Sequence, residues 1–323
     1  MSLSVSSTAR EPSYSGAQTL VTTFTESFDP RIDGLLAYHK WYGNRITYGD
    51  PSDASDYQSD YPRPLDGVSH ISAAQLRVAR IALDADHFDQ PAGAAGLSVE
   101  GFTNLRIEYS GAKPGAATIR FANTDEDTTA YAYPPNYDDL AGDAFFGGSG
   151  RDPVTGNYDY QTILHELGHT LGLKHGHENV DHGAVPGRLD SLEFSVMTYR
   201  SYVHGPTDGY TNEQFGYPQT YMMLDIAALQ YLYGADFSTN SDATVYRWTA
   251  FQHPTTGEYM LWMTDPATGE HFTVIPGGEP VVRVESIIHH RHRGPAVDLD
   301  ALLDLLRLLL DVHVHDQPAS RRL

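Results

Sequence analysis

Four residues fall at spacings that could hold a metal ion and activate a water molecule. They are His165, Glu166, His169 and His175, within the run His165-Glu166-Leu167-Gly168-His169-Thr170-Leu171-Gly172-Leu173-Lys174-His175. On a helix turning about 100° per residue, His165 and His169 lie about 40° apart, so one helical face can present both imidazoles to one ion. Glu166, beside the first ligand, can reach a water at the ion without ligating it. Gly172 lets the chain leave the helix through a left-handed turn, where the missing Cβ removes the steric penalty. That turn returns His175 as a third nitrogen ligand. Three protein ligands leave one coordination position open, which distinguishes a catalytic zinc site from a structural one.

The competing reading is an amphipathic helix that happens to carry histidines, in a chain with 16 of them in 323 residues. Rough residue frequencies multiplied over all start points put a chance occurrence at on the order of one in ten thousand. The spacing therefore favours the metal.

The pattern His-Glu-x-x-His-x-x-Gly-x-x-His is the metzincin signature, a clan that also has a methionine-containing turn after the third histidine. Ser195-Val196-Met197-Thr198-Tyr199 fits that turn. With the run Leu171-Gly172-Leu173-Lys174-His175, the Tyr two residues after the Met, and the segment from Leu224 to Ala235, the chain resembles the serralysin family, bacterial secreted metalloproteases of peptidase family M10. Ala130-Tyr131-Ala132-Tyr133-Pro134-Pro135 and Ala141-Gly142-Asp143-Ala144 are similar to the strand and loop that precede the active-site helix there.

The resemblance implies an α+β, metzincin-type zinc protease domain with a twisted mixed sheet above the active-site helix. It implies Zn²⁺ on His165, His169 and His175, with Glu166 as general base. Tyr199 would be a switchable fourth ligand whose phenol swings away to hydrogen-bond the oxyanion, Met197 a packing element under the metal, and Gly172 the turn. The expected activity is endopeptidase hydrolysis of extracellular proteins. The alternative is a catalytically weak or inactive truncated relative that keeps the site as a zinc-binding secreted protein.

Composition narrows the classes. At 40% hydrophobic residues the chain can bury a substantial core. With no cysteine, disulfides, zinc–thiolate sites and cysteine nucleophiles are excluded together. A net charge of −21 opposes non-specific nucleic-acid binding. No apolar run approaches the ~20 residues that cross a bilayer. The expected partners are protein or peptide substrates, with no nucleic acid, no membrane and a monomeric state. The acid-rich stretch 50–60 and Asp125-Glu126-Asp127 offer the oxygen ligands that Ca²⁺ prefers, but without EF-hand spacing, so Ca²⁺ is the weaker metal expectation. The first thirty residues have neither the basic nor the apolar region of a secretory signal peptide. Serralysin-like proteins usually leave the cell by a C-terminal signal, so the resemblance still implies an extracellular location.

Along the chain, residues 1–30 read as a mobile lead-in and 31–248 as the catalytic domain. Within it, 72–87 shows helical periodicity, Asn44–Tyr48, Leu105–Tyr109 and Ala117–Ala122 read as strands, and helices are expected at about 158–172 and 219–233. Thr118–Ala122 is the expected edge strand for an extended substrate. His177 and His182 read as surface histidines. Residues 249–323 form a divergent segment: instead of the Gly-Gly-x-Gly-x-Asp repeats of a serralysin it shows β-hairpin patterning, a His289–His292 cluster and an aliphatic stretch from Leu299 to Leu310.

Overall fold

The computed structural model describes residues 21–84, 98–111, 117–126 and 128–238, and the backbone of three strands, Arg247–Gln252, Tyr259–Thr264 and His271–Gly277. In chain order the elements are β1 (Val21–Thr22), α1 (Pro30–Asp33), β2 (Lys40–Trp41), β3 (Arg45–Gly49), α2 (Ala73–Leu83), α3 (Val99–Phe102), β4 (Arg106–Tyr109), β5 (Ile119–Asn123), β6 (Ala130–Ala132), β7 (Asp143–Phe146), α4 (Tyr158–Thr170) and α5 (Met223–Tyr233). The last three strands pair antiparallel as one sheet with Tyr259–Thr264 in the middle. The aliphatic stretch and the His289–His292 cluster lie outside the described residues.

The main sheet is five-stranded and mixed, in the order β4-β3-β5-β7-β6, with every neighbouring pair parallel except β6 with β7. β5 is buried at all five positions because strands flank it and both its faces are covered. Ile119 and Phe121 join the large core with α2, α4 and α5, while Ala122 packs with Phe145, Tyr57 and Val68 in a second cluster. The segment Thr118–Ala122 is therefore not an edge. That expectation failed because alternating polarity reports a half-buried strand and carries no information on which strands pair beside it. Among the described residues the edge strand next to α4 is β6, which packs against that helix together with β7. Val21–Thr22 pairs with Lys40–Trp41, so part of the stretch read as a lead-in is tied into the fold.

Local chemistry sets the helices. Ser72 and Gln75 close a reciprocal capping box on α2: the Ser72 amide donates to Gln75 Oε1 at 2.8 Å, and the Gln75 amide to Ser72 Oγ at 3.2 Å. Gln75 Nε2 also donates to Asn123 Oδ1 at 2.9 Å, anchoring α2 to β5. The helix then packs against α4.

Between β5 and β7, Arg120 and Asp143 are register partners joined by two charge-assisted bonds of 2.6 and 2.7 Å. Tyr61 Oη donates to the same carboxylate at 2.7 Å, and the guanidinium lies 4.5 Å from the Tyr57 ring centroid. Burial pushes the Asp143 carboxyl up to about 6 even with this cation beside it. Replacing Arg120 with Leu strands that carboxyl among tyrosines, and breaking a buried pair from one side costs about 3–5 kcal/mol. Chemical denaturation of R120L should show a loss of that order, whereas a loss under about 1 kcal/mol, as for an exposed pair, would reject the role.

Candidate metal centre

Helix α4 begins where Asn157 caps it, its Oδ1 accepting the Tyr160 amide at 2.8 Å. It ends in a Schellman motif: the Gly172 amide donates to His169 O at 2.9 Å and the Leu173 amide to Gly168 O at 3.0 Å. Gly172 sits at φ +101°, and a Cβ there would lie 3.0 Å from the His39 carbonyl oxygen. Glycine is thus needed for both backbone conformation and space. Past this turn the chain bridges Leu173 to Leu36 and brings His175 back towards the helix.

The three imidazoles converge. His175 Nε2 lies 3.1 Å from His165 Nε2 and 3.1 Å from His169 Nε2. Each opposite ring nitrogen has an oxygen partner. His165 Nδ1 donates to Val196 O at 2.7 Å, His169 Nδ1 to Leu173 O at 2.8 Å, and His175 Nδ1 to Glu178 Oε1 at 3.0 Å. With Nδ1 protonated in all three rings, the Nε2 lone pairs face one another. Three such lone pairs repel unless a cation lies among them. Zinc–nitrogen bonds of ~2.0–2.1 Å in a tetrahedron place ligand nitrogens about 3.3 Å apart, close to what is seen. Burial lowers all three imidazole pKa values, that of His175 to about 3, so the rings are neutral and available as ligands. The donor set fits zinc.

Glu166 is buried and its Oε2 has no hydrogen-bond partner in the protein. Burial pushes its carboxyl up to about 8. Tyr199 Oη is 2.9 Å from His175 Nε2, and burial pushes the phenol up to about 12. His165, Glu166 and Tyr199 line a cleft of about 490 Å³ together with Thr129 and with Ala130 of β6. Met197 is fully buried, and a Cβ on Gly168 would fall 2.5 Å from its Sδ, so the methionine occupies the notch that the helix glycine leaves.

Several residues that hold this geometry have roles that the sequence analysis did not assign, although Lys174 and Asp225 lie in the segments that carry the resemblance. Asp225 of α5 accepts from Ser195 Oγ at 2.6 Å, the Val196 amide at 2.8 Å and the Met222 amide at 2.9 Å. It caps its own helix and fixes the turn whose Val196 carbonyl orients His165. Lys174 is buried, with Nζ donating to Gly34 O at 2.7 Å, Glu178 O at 2.9 Å and Gly183 O at 2.7 Å. One ammonium thus ties the loop after His175 to the chain near α1. His177 is half-buried, its ring stacked on His175 at 5.6 Å and 13°. His182 Nδ1 lies 3.2 Å from Glu26 Oε1, with the rings of Phe24 and Tyr38 beside it. Both histidines are packed rather than solvated. The remaining group of potential metal ligands among the described residues is His175, His177 and Glu178; none of the described acidic residues at 50–60 or 125–126 forms one. No described helix is long and apolar enough to cross a membrane.

Comparison with known proteins gives the context of this centre. The Peptidase M66 family matches residues 83–254, more than half of the chain. Serralysin G of Dickeya chrysanthemi is 30% identical over 263 residues, covering 74% of this chain and 50% of the relative. Serralysin of Proteus mirabilis is 38% identical over 132 residues, 36% of this chain and 26% of the relative. Metalloprotease AprA of Pseudomonas entomophila (strain L48) is 43% identical over 106 residues, 29% and 21% of the two chains. The chain spans at most about half the length of these relatives.

The path from Asp225 through Val196 to His165 makes a specific demand. In Asp225→Asn an amide nitrogen replaces either the oxygen that accepts from Ser195 Oγ or the one that accepts from the Val196 and Met222 amides, so at least one donor loses its acceptor. Losing such outer-sphere support weakens metal sites by about 10–100-fold. Zinc affinity measured by competition with a chromogenic chelator should fall by that amount in a protein that still folds. An unchanged affinity would separate the turn from the centre.

Proposed function

Because the chain belongs to the Peptidase M66 family and is a serralysin-like metalloprotease by descent, we propose that it is a zinc-dependent endopeptidase acting on extracellular proteins or peptides, with His165, His169 and His175 as zinc ligands and Glu166 as general base. The observation that carries this reading is the convergence of three Nε2 atoms, each with its Nδ1 already engaged, beside an unpartnered buried carboxylate oxygen. The catalytic unit lies within residues 31–248, since every residue of the centre and its cleft does. The extracellular location and monomeric state rest on the serralysin resemblance.

Zinc, when bound, supplies a Lewis acid that acidifies water and polarises a carbonyl. The protein supplies the rest. Glu166 Oε2, buried and without a partner in the protein, would take the proton of the attacking water and hand it to the departing amine. Tyr199 keeps its phenol proton at working pH and can donate it in a hydrogen bond to the oxyanion as charge develops. Met197 and Gly168 hold the turn against the helix. Extended substrate would pair with β6, which is an edge strand among the described residues and reaches the cleft at Ala130.

Glu166→Gln keeps the shape and removes the base. Zinc content should stay at one equivalent in the site while peptide hydrolysis falls by about 10²–10⁴-fold. In His169→Ala, with His289 to His292 also replaced, metal analysis should show the site emptied. A wild-type protein loaded with zinc that cleaves no peptide would instead assign it as a zinc-binding relative without activity.

Tyr199→Phe separates two roles. A phenol acting on the oxyanion contributes in the transition state, so kcat should drop by more than KM rises. A change confined to KM would make Tyr199 a substrate-binding group.

A further inference from the structure

The cleft that holds Glu166 is also lined by Tyr158, Tyr210 and Tyr217, with Asp208 on the exposed loop 207–209. The three rings form a closed triangle, with centroids 5.7 to 5.8 Å apart in every pair. Rings this close leave no room for a side chain between them, so a ligand meets their outer faces, edges and phenol oxygens. The wall is fixed: Tyr210 Oη donates to Thr198 O at 2.6 Å, and the Tyr217 amide donates to Gly156 O at 2.9 Å. Tyr158, the first residue of α4, leaves 40% of its surface open.

Away from the metal centre, the carboxylate among the described lining residues is Asp208, and no lysine or arginine is among them. Aromatic faces are electron-rich and attract cations. An acidic side chain meets repulsion from both features. An aliphatic one gains contact with the rings, but it displaces water from phenols and a carboxylate without replacing their hydrogen bonds. A long basic side chain suits the mixture, since its methylenes can lie along the rings while its charged head stays hydrated near a surface carboxylate.

We propose that this cleft selects substrates with a lysine or arginine side chain beside the scissile bond, its stem along Tyr158 and Tyr217 and its head at Asp208. The inference rests on the peptidase reading above and adds its substrate preference.

The test uses the zinc-loaded full chain and fluorogenic peptides that differ in one residue on either side of the scissile bond. That residue is Lys, Arg, Leu, Phe or Glu, with cleavage points mapped by mass spectrometry. Basic residues should exceed Glu and Leu in kcat/KM by about tenfold at one of the two positions. Asp208→Asn should reduce that preference by roughly two- to fivefold, the scale of an exposed charge pair, with zinc content, melting temperature and cleavage of the Leu peptide unchanged. Asp208→Lys should move the preference towards Glu, and added salt should weaken the basic preference in the wild type. A wild type that prefers Leu, Phe or Glu at both positions overturns the proposal, as does a preference that neither Asp208 variant alters. Cleavage without basic preference rejects this inference alone. Failure to cleave any peptide rejects the peptidase reading with it.

Discussion

One residue, Val196, ties α4 to α5. The Val196 amide donates to Asp225 of α5, and the Val196 carbonyl accepts from His165 of α4. The turn carrying Met197 is therefore held on both sides by buried hydrogen bonds, and neither bond can be traded for water. Burial pushes the Asp225 carboxyl up to about 7, yet three donors surround it. A buried acceptor satisfied in this way costs little, whereas removing its donors leaves it stranded in apolar surroundings. The position of α5, far along the chain from the histidines, thus bears directly on the tautomer and orientation of the His165 imidazole.

The same economy of space and charge recurs around the centre. Three imidazoles are kept neutral by burial and presented through one nitrogen each, because the other nitrogen is spent on a carbonyl or carboxylate. Lys174 brings an ammonium into the neighbouring loop, where backbone carbonyls rather than a carboxylate receive it. The Glu178 and Asp181 carboxylates stabilise that charge from nearby, and Lys174 follows burial and the neighbouring histidines among the causes that lower the His175 pKa. On the helix side, Gly168 gives up a side chain so that the Met197 sulfur can enter. Methionine suits the notch because its thioether is polarisable and its stem is unbranched.

The sheet supplies the frame on which these contacts converge. Its central strand is buried on both faces, and the Arg120–Asp143 pair crosses from β5 to β7. β7 in turn pairs with the short antiparallel strand β6, which brings Thr129 and Ala130 to the cleft. Among the described residues no strand lies beyond β6, so its outer side is an edge of the sheet facing the cleft.

What could be read from the sequence was whatever depends on neighbours a few residues away. Helical geometry places His165 and His169 on one face wherever such a helix forms, and the positive φ at Gly172 follows from a turn that must reverse within three residues. The helix over 73–83 was legible for the same reason, through its apolar spacing. Only the tertiary structure decided which strand lies at the edge, that Asp225 reaches Ser195 and Val196, that the ammonium of Lys174 finds the carbonyls of Gly34 and Gly183, and that Tyr158, Tyr210 and Tyr217 share one wall. Strand alternation is the same at an edge and at a centre, and a buried aspartate reads as any surface aspartate until its donors are known. The side-chain contacts among these join residues from seven to 140 positions apart. Their pairing is set by how hydrophobic faces pack together, a property of the whole chain that no short window of residues contains.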